Sequence, residues 1–133
     1  MTTATSTAKN LRISQKKMGF LVDQIKKMSP QQAIDILAFT NKASSQPLKK
    51  VIGSAIANAK NNLGLDQNSL KFKAILIERG PAFKRFRPVS RGRAHSILKR
   101  TTHLTVTLEG EQTKKVTPVT NESNVAKESK EKK

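Results

Sequence analysis

The stretch LKFKAILIERGPAFKRFRPVSRGRAHSILKRTTHLTVTL, residues 70–108, decides the fold. At its start Leu70, Phe72, Ala74 and Leu76 alternate with Lys71, Lys73, Ile75 and Ile77, and at its end Leu104, Val106 and Leu108 alternate with His103, Thr105 and Thr107. A period of two marks a strand with one buried face, and the first strand turns apolar on both faces towards its end. Between these two pairable strands lie residues 78–100, which hold Arg79, Lys84, Arg85, Arg87, Arg91, Arg93, Lys99 and Arg100 against one acid, Glu78. Like charges this dense repel one another unless an anion lies between them. Phe83 and Phe86 interleave the basic run, and such rings can stack on bases or wedge into RNA. Gly80, Pro81, Pro88, Gly92 and Ala94 provide bends and close backbone approach. The spacing predicts a long hairpin. At about 3.3 Å per residue, residues 75–88 would carry its tip roughly 40 to 45 Å from the sheet. Such an arm has little apolar burial and repels itself, so a polyanion must hold it in place. The arginines expected around the tip, Arg85, Arg87, Arg91 and Arg93, suit bidentate phosphate contacts better than lysines would. Residues 80–100 are expected to be mobile until RNA binds.

Upstream the period changes to that of helices. Ser14 is a candidate cap for a helix whose stripe is Met18, Leu21, Val22, Ile25 and Met28. Ser29 followed by Pro30 opens a short second helix, QQAIDILAF, which ends before Thr40 and Asn41. A third helix aligns Leu48, Val51, Ile52, Ala55, Ile56, Ala59 and Leu63, and Gly64 is placed to end it. Pro47 must lie in its first turn or just before, because an interior proline would break the ladder. These stripes are read as core packing. In SAIANA, 54–59, the small residues permit close packing, and Asn58 and Asn61 are possible polar contacts.

Composition bounds the rest. The 133 residues include 26 Lys or Arg and 9 Asp or Glu, a net charge of +17, and only 35% are hydrophobic. That length favours one domain with a small core. With no Cys, neither a disulfide framework nor a cysteine-containing zinc site is possible. No apolar run approaches a membrane span and the start lacks a signal-peptide apolar segment, so the chain is expected to be soluble and intracellular. The expected organisation is a flexible segment 1–9, a single RNA-binding domain 10–109 that includes the hairpin at about 78–100, and a disordered tail 110–133 rich in Thr, Glu, Ser, Asn and Lys.

Several motifs, in order, are familiar. Arg12-Ile13-Ser14 stands before a Lys-Lys helix; SAIANA is followed by Asn61 and Asn62; then come ERGPAFKR at 78–85, RGRA at 91–94 and LKRTTHLTV at 98–106. Over about residues 9–108 this resembles the family of bacterial large-subunit ribosomal protein twenty-two. The resemblance implies an α+β domain, three helices packed on a small antiparallel sheet with a long protruding β-hairpin. It implies a structural constituent of the large ribosomal subunit in the cytoplasm that binds 23S rRNA, supports subunit assembly and lines the polypeptide exit tunnel with its hairpin. The partners so implied are 23S rRNA, neighbouring large-subunit proteins and the nascent polypeptide passing the tip. Macrolide antibiotics bind near that tip in the family; no cofactor, metal, membrane or small-molecule substrate is expected. The expected rRNA contacts are Arg12, Lys16, Lys17, Arg79, Lys84, Arg85, Phe86, Arg87, Arg91, Arg93, His95, Lys99 and Arg100. The tunnel-lining tip would be Arg87, Pro88, Val89, Ser90, Arg91, Gly92 and Arg93. Where relatives usually carry Pro-Arg-Ala, this chain has Pro88-Val89-Ser90, with a positive charge at Arg87 instead.

Other classes fit less well. Within fifteen positions of His95 or His103 the only carboxylates are Glu109 and Glu111, too few for a metal or acid–base site. Ser96, His103 and Asp66 form no triad that the sequence brings together, so no catalytic residue is expected. The alternative is a general basic nucleic-acid binder, such as a DNA-compacting protein. It would share the charge and the salt dependence, but a DNA binder of this size usually dimerises or carries a groove-reading helix, and neither is evident. Membrane-surface binding is weaker still, because the basic residues do not gather on one face of an amphipathic helix.

Overall fold

The computed structural model describes residues 2–110, in which three helices pack on a small antiparallel sheet that carries a separate hairpin. In chain order the elements are β1 Thr2–Leu11, α1 Gln15–Ile25, α2 Pro30–Phe39, α3 Ser45–Leu63, a 3-10 turn Gln67–Ser69, β2 Lys71–Arg79, β3 Phe83–Pro88, β4 Ala94–Lys99 and β5 Thr102–Gly110. The main sheet has the order β1-β5-β2, and β3 pairs with β4 in a two-stranded ribbon of its own. The α+β architecture that the family resemblance implies is the one observed. The expected tail lies, from residue 111 onwards, outside the described residues.

The core forms between the helix stripes and the sheet, with α3 against β1 and β5, α1 against β2, and α2 against α3. Met18, Leu21, Val22 and Ile25 of α1, Ala33 and Leu37 of α2, and Leu48, Val51, Ile52, Ala55, Ile56 and Ala59 of α3 are buried with Leu104, Val106 and Leu108. Local chemistry sets the helix ends. Ser29 and Gln32 form a reciprocal capping box with Pro30 in the first turn of α2. Gly64 closes α3 in the left-handed region at φ 59°, while the Leu65 N–H donates back to the Ala59 carbonyl. Pro47 falls in the first turn of α3, where its missing N–H costs nothing. Met28, by contrast, lies beyond the end of α1 and is more than a third exposed, so it drops out of the expected stripe.

Three expectations are corrected. Residues 2–9, expected to be a flexible segment, belong to β1, which pairs antiparallel with β5 from Thr2↔Gly110 to Leu11↔Thr102. Ala4 is 3% exposed, and Asn58 Nδ2 of α3 donates to the Thr5 carbonyl at 3.0 Å. The ladder with β5 supplies most of the hold, so threonine and alanine suffice where a free-standing strand would need larger side chains.

The second correction concerns β2. Its pairing shifts between Phe72↔Leu108 and Ala74↔Thr107, so that Lys73 is the extra residue of a bulge. Beyond the bulge the inward positions are Ile75 and Ile77, which pack on the core, whereas Leu76 is 54% exposed. One inserted residue has exchanged the faces of the strand. The third concerns the reach of the arm. Residues 75–79 stay in the main sheet, and the ribbon proper comprises six residues on each strand, or about 20 Å.

Candidate nucleic-acid interface

The arm begins at a fixed root. The Gly80 N–H donates to the Thr101 carbonyl at 3.0 Å, and the Thr101 hydroxyl donates to the Pro81 carbonyl. Thr102, fully buried, donates its hydroxyl to the Ile13 carbonyl and so ties the turn before α1 to the base of β5. Gln15 Nε2 donates to the Ile77 carbonyl at 2.9 Å, a second tie between α1 and β2.

Beyond this root every residue of β3 and β4 is exposed. Pairing runs from Phe83↔Lys99 to Pro88↔Ala94. Directly paired residues project from the same face of an antiparallel ribbon, and faces alternate along each strand. One face therefore presents Phe83, Arg85, Arg87, His95, Ile97 and Lys99; the other presents Lys84, Phe86, Pro88, Ala94, Ser96 and Leu98. The first face carries three cations, Arg85, Arg87 and Lys99, with Phe83, His95 and Ile97 among them. The second is mostly apolar or small and carries Phe86, 76% exposed.

At the tip the Val89 N–H donates to the Arg93 carbonyl at 2.8 Å, and two consecutive residues, Arg91 at φ 59° and Gly92 at φ 68°, are left-handed. Glycine accepts this conformation freely, whereas arginine accepts it at about 1 kcal/mol or more. Arg91 and Arg93 are both exposed at this turn.

Among the described residues the single ion pair is Lys26 with Asp23, at 2.8 Å and well away from the arm in sequence. The arm's positive charges thus face solvent without a carboxylate partner among those residues. At the root Arg12, Lys17, Lys99 and Arg100 line one cleft with Phe83, and the Arg12 guanidinium lies 6.0 Å from the centre of that ring. Arg79 ends β2 beside the root, and Lys16 is exposed on the first turn of α1 outside the cleft lining. The expected contact residues thus separate into an arm group and a root group. His103 takes a structural position: its Nδ1 accepts the Asn10 N–H at 3.0 Å, where β1 bulges and Asn10 is left-handed at φ 57°.

Sequence reasoning did not place the root cleft, nor Thr101 and Leu98 in its lining. Among the described residues no three His, Asp or Glu side chains gather to hold a metal ion, and no helix is long and apolar enough to cross a membrane. A family model described as ribosomal protein L22p/L17e matches residues 6–109, taking in all three helices, the whole arm and most of the main sheet. The family is structural rather than catalytic. The chain accordingly belongs to the ribosomal protein L22p/L17e family and is a structural constituent of the cytoplasmic large ribosomal subunit, a ribonucleoprotein component of the translation machinery.

Proposed function

We propose that the arm threads among segments of 23S rRNA, supports subunit assembly by screening their mutual repulsion, and lines the polypeptide exit tunnel with its tip. The observation that carries this reading is the arm itself: a ribbon with no buried residue, with Arg85, Arg87 and Lys99 on one face and no carboxylate partner among the described residues. Arg85, Arg87, His95 and Lys99 follow phosphates on that face, and Lys84 and Phe86 contact RNA from the other, where Phe86 stacks on an unpaired base. Arg12, Lys16, Lys17, Arg79 and Arg100 engage RNA around the root. Residues 87–93 face the tunnel, beside the nascent chain and the ground where macrolides bind in the family. Arg91 and Arg93 also contact rRNA there. Neighbouring large-subunit proteins pack nearby, and the chain performs no chemistry of its own.

The test is ultraviolet crosslinking in a native lysate, with both the RNA position and the protein peptide mapped. Crosslinks from residues 84–100 to a few fixed places in 23S rRNA are expected. Crosslinks scattered over many RNAs, or chiefly to DNA, would replace this reading with that of a general polyanion binder.

A further inference from the structure

The cleft at the root is a built feature. Its volume is about 430 Å³, within the roughly 300 to 1,000 Å³ typical of pockets that take small ligands. Its walls come from three separate parts of the chain: the turn into α1, Ala43 before α3, and the two strands of the arm with the residues that follow β4. Hydrogen bonds join these walls to one another. Thr102 holds Ile13, Thr101 holds Pro81, and the buried Ser44 hydroxyl donates to the Lys17 carbonyl at 3.3 Å. A cavity whose walls are tied in this way is present before a ligand arrives, and preorganisation lowers the entropy lost on binding.

The lining has two chemistries. Four cations contribute to it, Arg12, Lys17, Lys99 and Arg100, and none of its described residues is acidic. Phe83 supplies an aromatic ring that is 42% exposed. Arg12 stands over this ring at the outer limit of a cation–π contact, so its long side chain can move aside or cover a second ring. Phosphate alone would need the cations and leave the ring idle. An apolar small molecule would need the ring and leave four charges unpaired. A nucleotide satisfies both.

We propose that this cleft takes one unpaired nucleotide of the bound RNA, its base against Phe83 beneath Arg12 and its phosphate among Lys17, Lys99 and Arg100. The proposal rests on the RNA-binding reading above and adds a defined site to it, since phosphate contacts along the arm require no pocket. A nucleotide held here would fix how deep the arm inserts, because the cleft lies where the arm leaves the domain.

The test uses the full chain and 23S rRNA, with affinity measured over a range of salt for Phe83→Leu, Phe83→Trp, Lys17→Gln and an Arg85→Gln/Arg87→Gln arm variant. Phe83→Leu removes stacking but no charge. It should weaken binding at least about fivefold, the lower bound for one base on an aromatic ring, with an unchanged salt slope. Phe83→Trp should bind within about twofold of the parent. Lys17, exposed on α1, can be changed without disturbing the core, and Lys17→Gln should reduce the salt slope by about 0.7. If Phe83→Leu binds within about twofold of the parent while the arm variant still weakens binding, the pocket is refuted and the RNA reading stands. Should Lys17→Gln reduce the slope while Phe83→Leu has no effect, the cleft holds a phosphate alone, which also overturns the proposal. If the arm variant leaves 23S rRNA binding unchanged, the RNA reading itself fails and the cleft proposal with it.

Discussion

Replacing Gly80 by Ala should destabilise the domain by about 2 to 4 kcal/mol, because the root of the arm has no room for a methyl group. A Cβ at this position would run into the Thr101 hydroxyl, with His103 Cε1 at 3.2 Å and the Thr101 carbonyl carbon at 3.3 Å. Gly80 is not left-handed, so the constraint is space rather than backbone conformation. Thr101 is buried, its hydroxyl is given to Pro81, and its carbonyl accepts the Gly80 N–H. It cannot turn away without breaking one of these bonds. Overpacking of a filled site costs about 1 to 3 kcal/mol, and a lost hydrogen bond adds about 0.5 to 1.5 kcal/mol. The assay is urea denaturation followed by far-ultraviolet circular dichroism, since the chain has neither Trp nor Tyr to report by fluorescence. Adding Thr101→Ala removes the colliding hydroxyl, so the double variant should lose less than the sum of the single losses, by about 1 kcal/mol. A change below about 0.5 kcal/mol for Gly80→Ala, or strict additivity in the double variant, would refute the reasoning.

Three further outcomes are expected. Ala4→Asp places a carboxylate at a buried position of β1 and should lower stability by about 2 kcal/mol or more in the same urea titration; a flexible N-terminal segment would register no change. Arg85→Gln with Arg87→Gln removes two cations from an exposed face, so the urea midpoint should hold while the salt slope of 23S rRNA binding falls by about 1.4 to 1.8. Amide exchange in the free protein should be fast across residues 85–97, beyond the hydrogen-bonded root and its cleft, because a two-stranded ribbon with no buried side chain opens readily, and slow across β5; protection of this part of the arm without RNA would count against this.

The helices and β5 were legible because their signals are local. Stripes such as Leu48, Val51, Ile52, Ala55, Ile56 and Ala59 repeat at the helical period, and Ser29-Pro30 and Gly64 act on the residues beside them. The arm announced itself through composition: charge so dense, interleaved with phenylalanine and bend-forming residues, cannot belong to a core. β1 lay below that threshold, because TTATSTAKN has little to bury and becomes a strand only when β5 completes its ladder.

Within each strand of the arm the alternation was already written in the residues, Phe83, Arg85 and Arg87 on one side and Lys84, Phe86 and Pro88 on the other. Which residues of β4 join each side depends on the register, and a slip of one position would send His95 and Lys99 to the face of Phe86. The bulge at Lys73 likewise belongs to a pairing rather than to a strand, which is why Ile75 and Ile77 face inward against the apparent alternation. The cleft required tertiary structure entirely. Arg12 and Arg100 are far apart in the chain, and they line one cavity because Thr102 bonds Ile13 while Thr101 bonds Pro81. Residue types thus determined what kinds of surface this protein could present, and long-range pairing decided which of those surfaces meet.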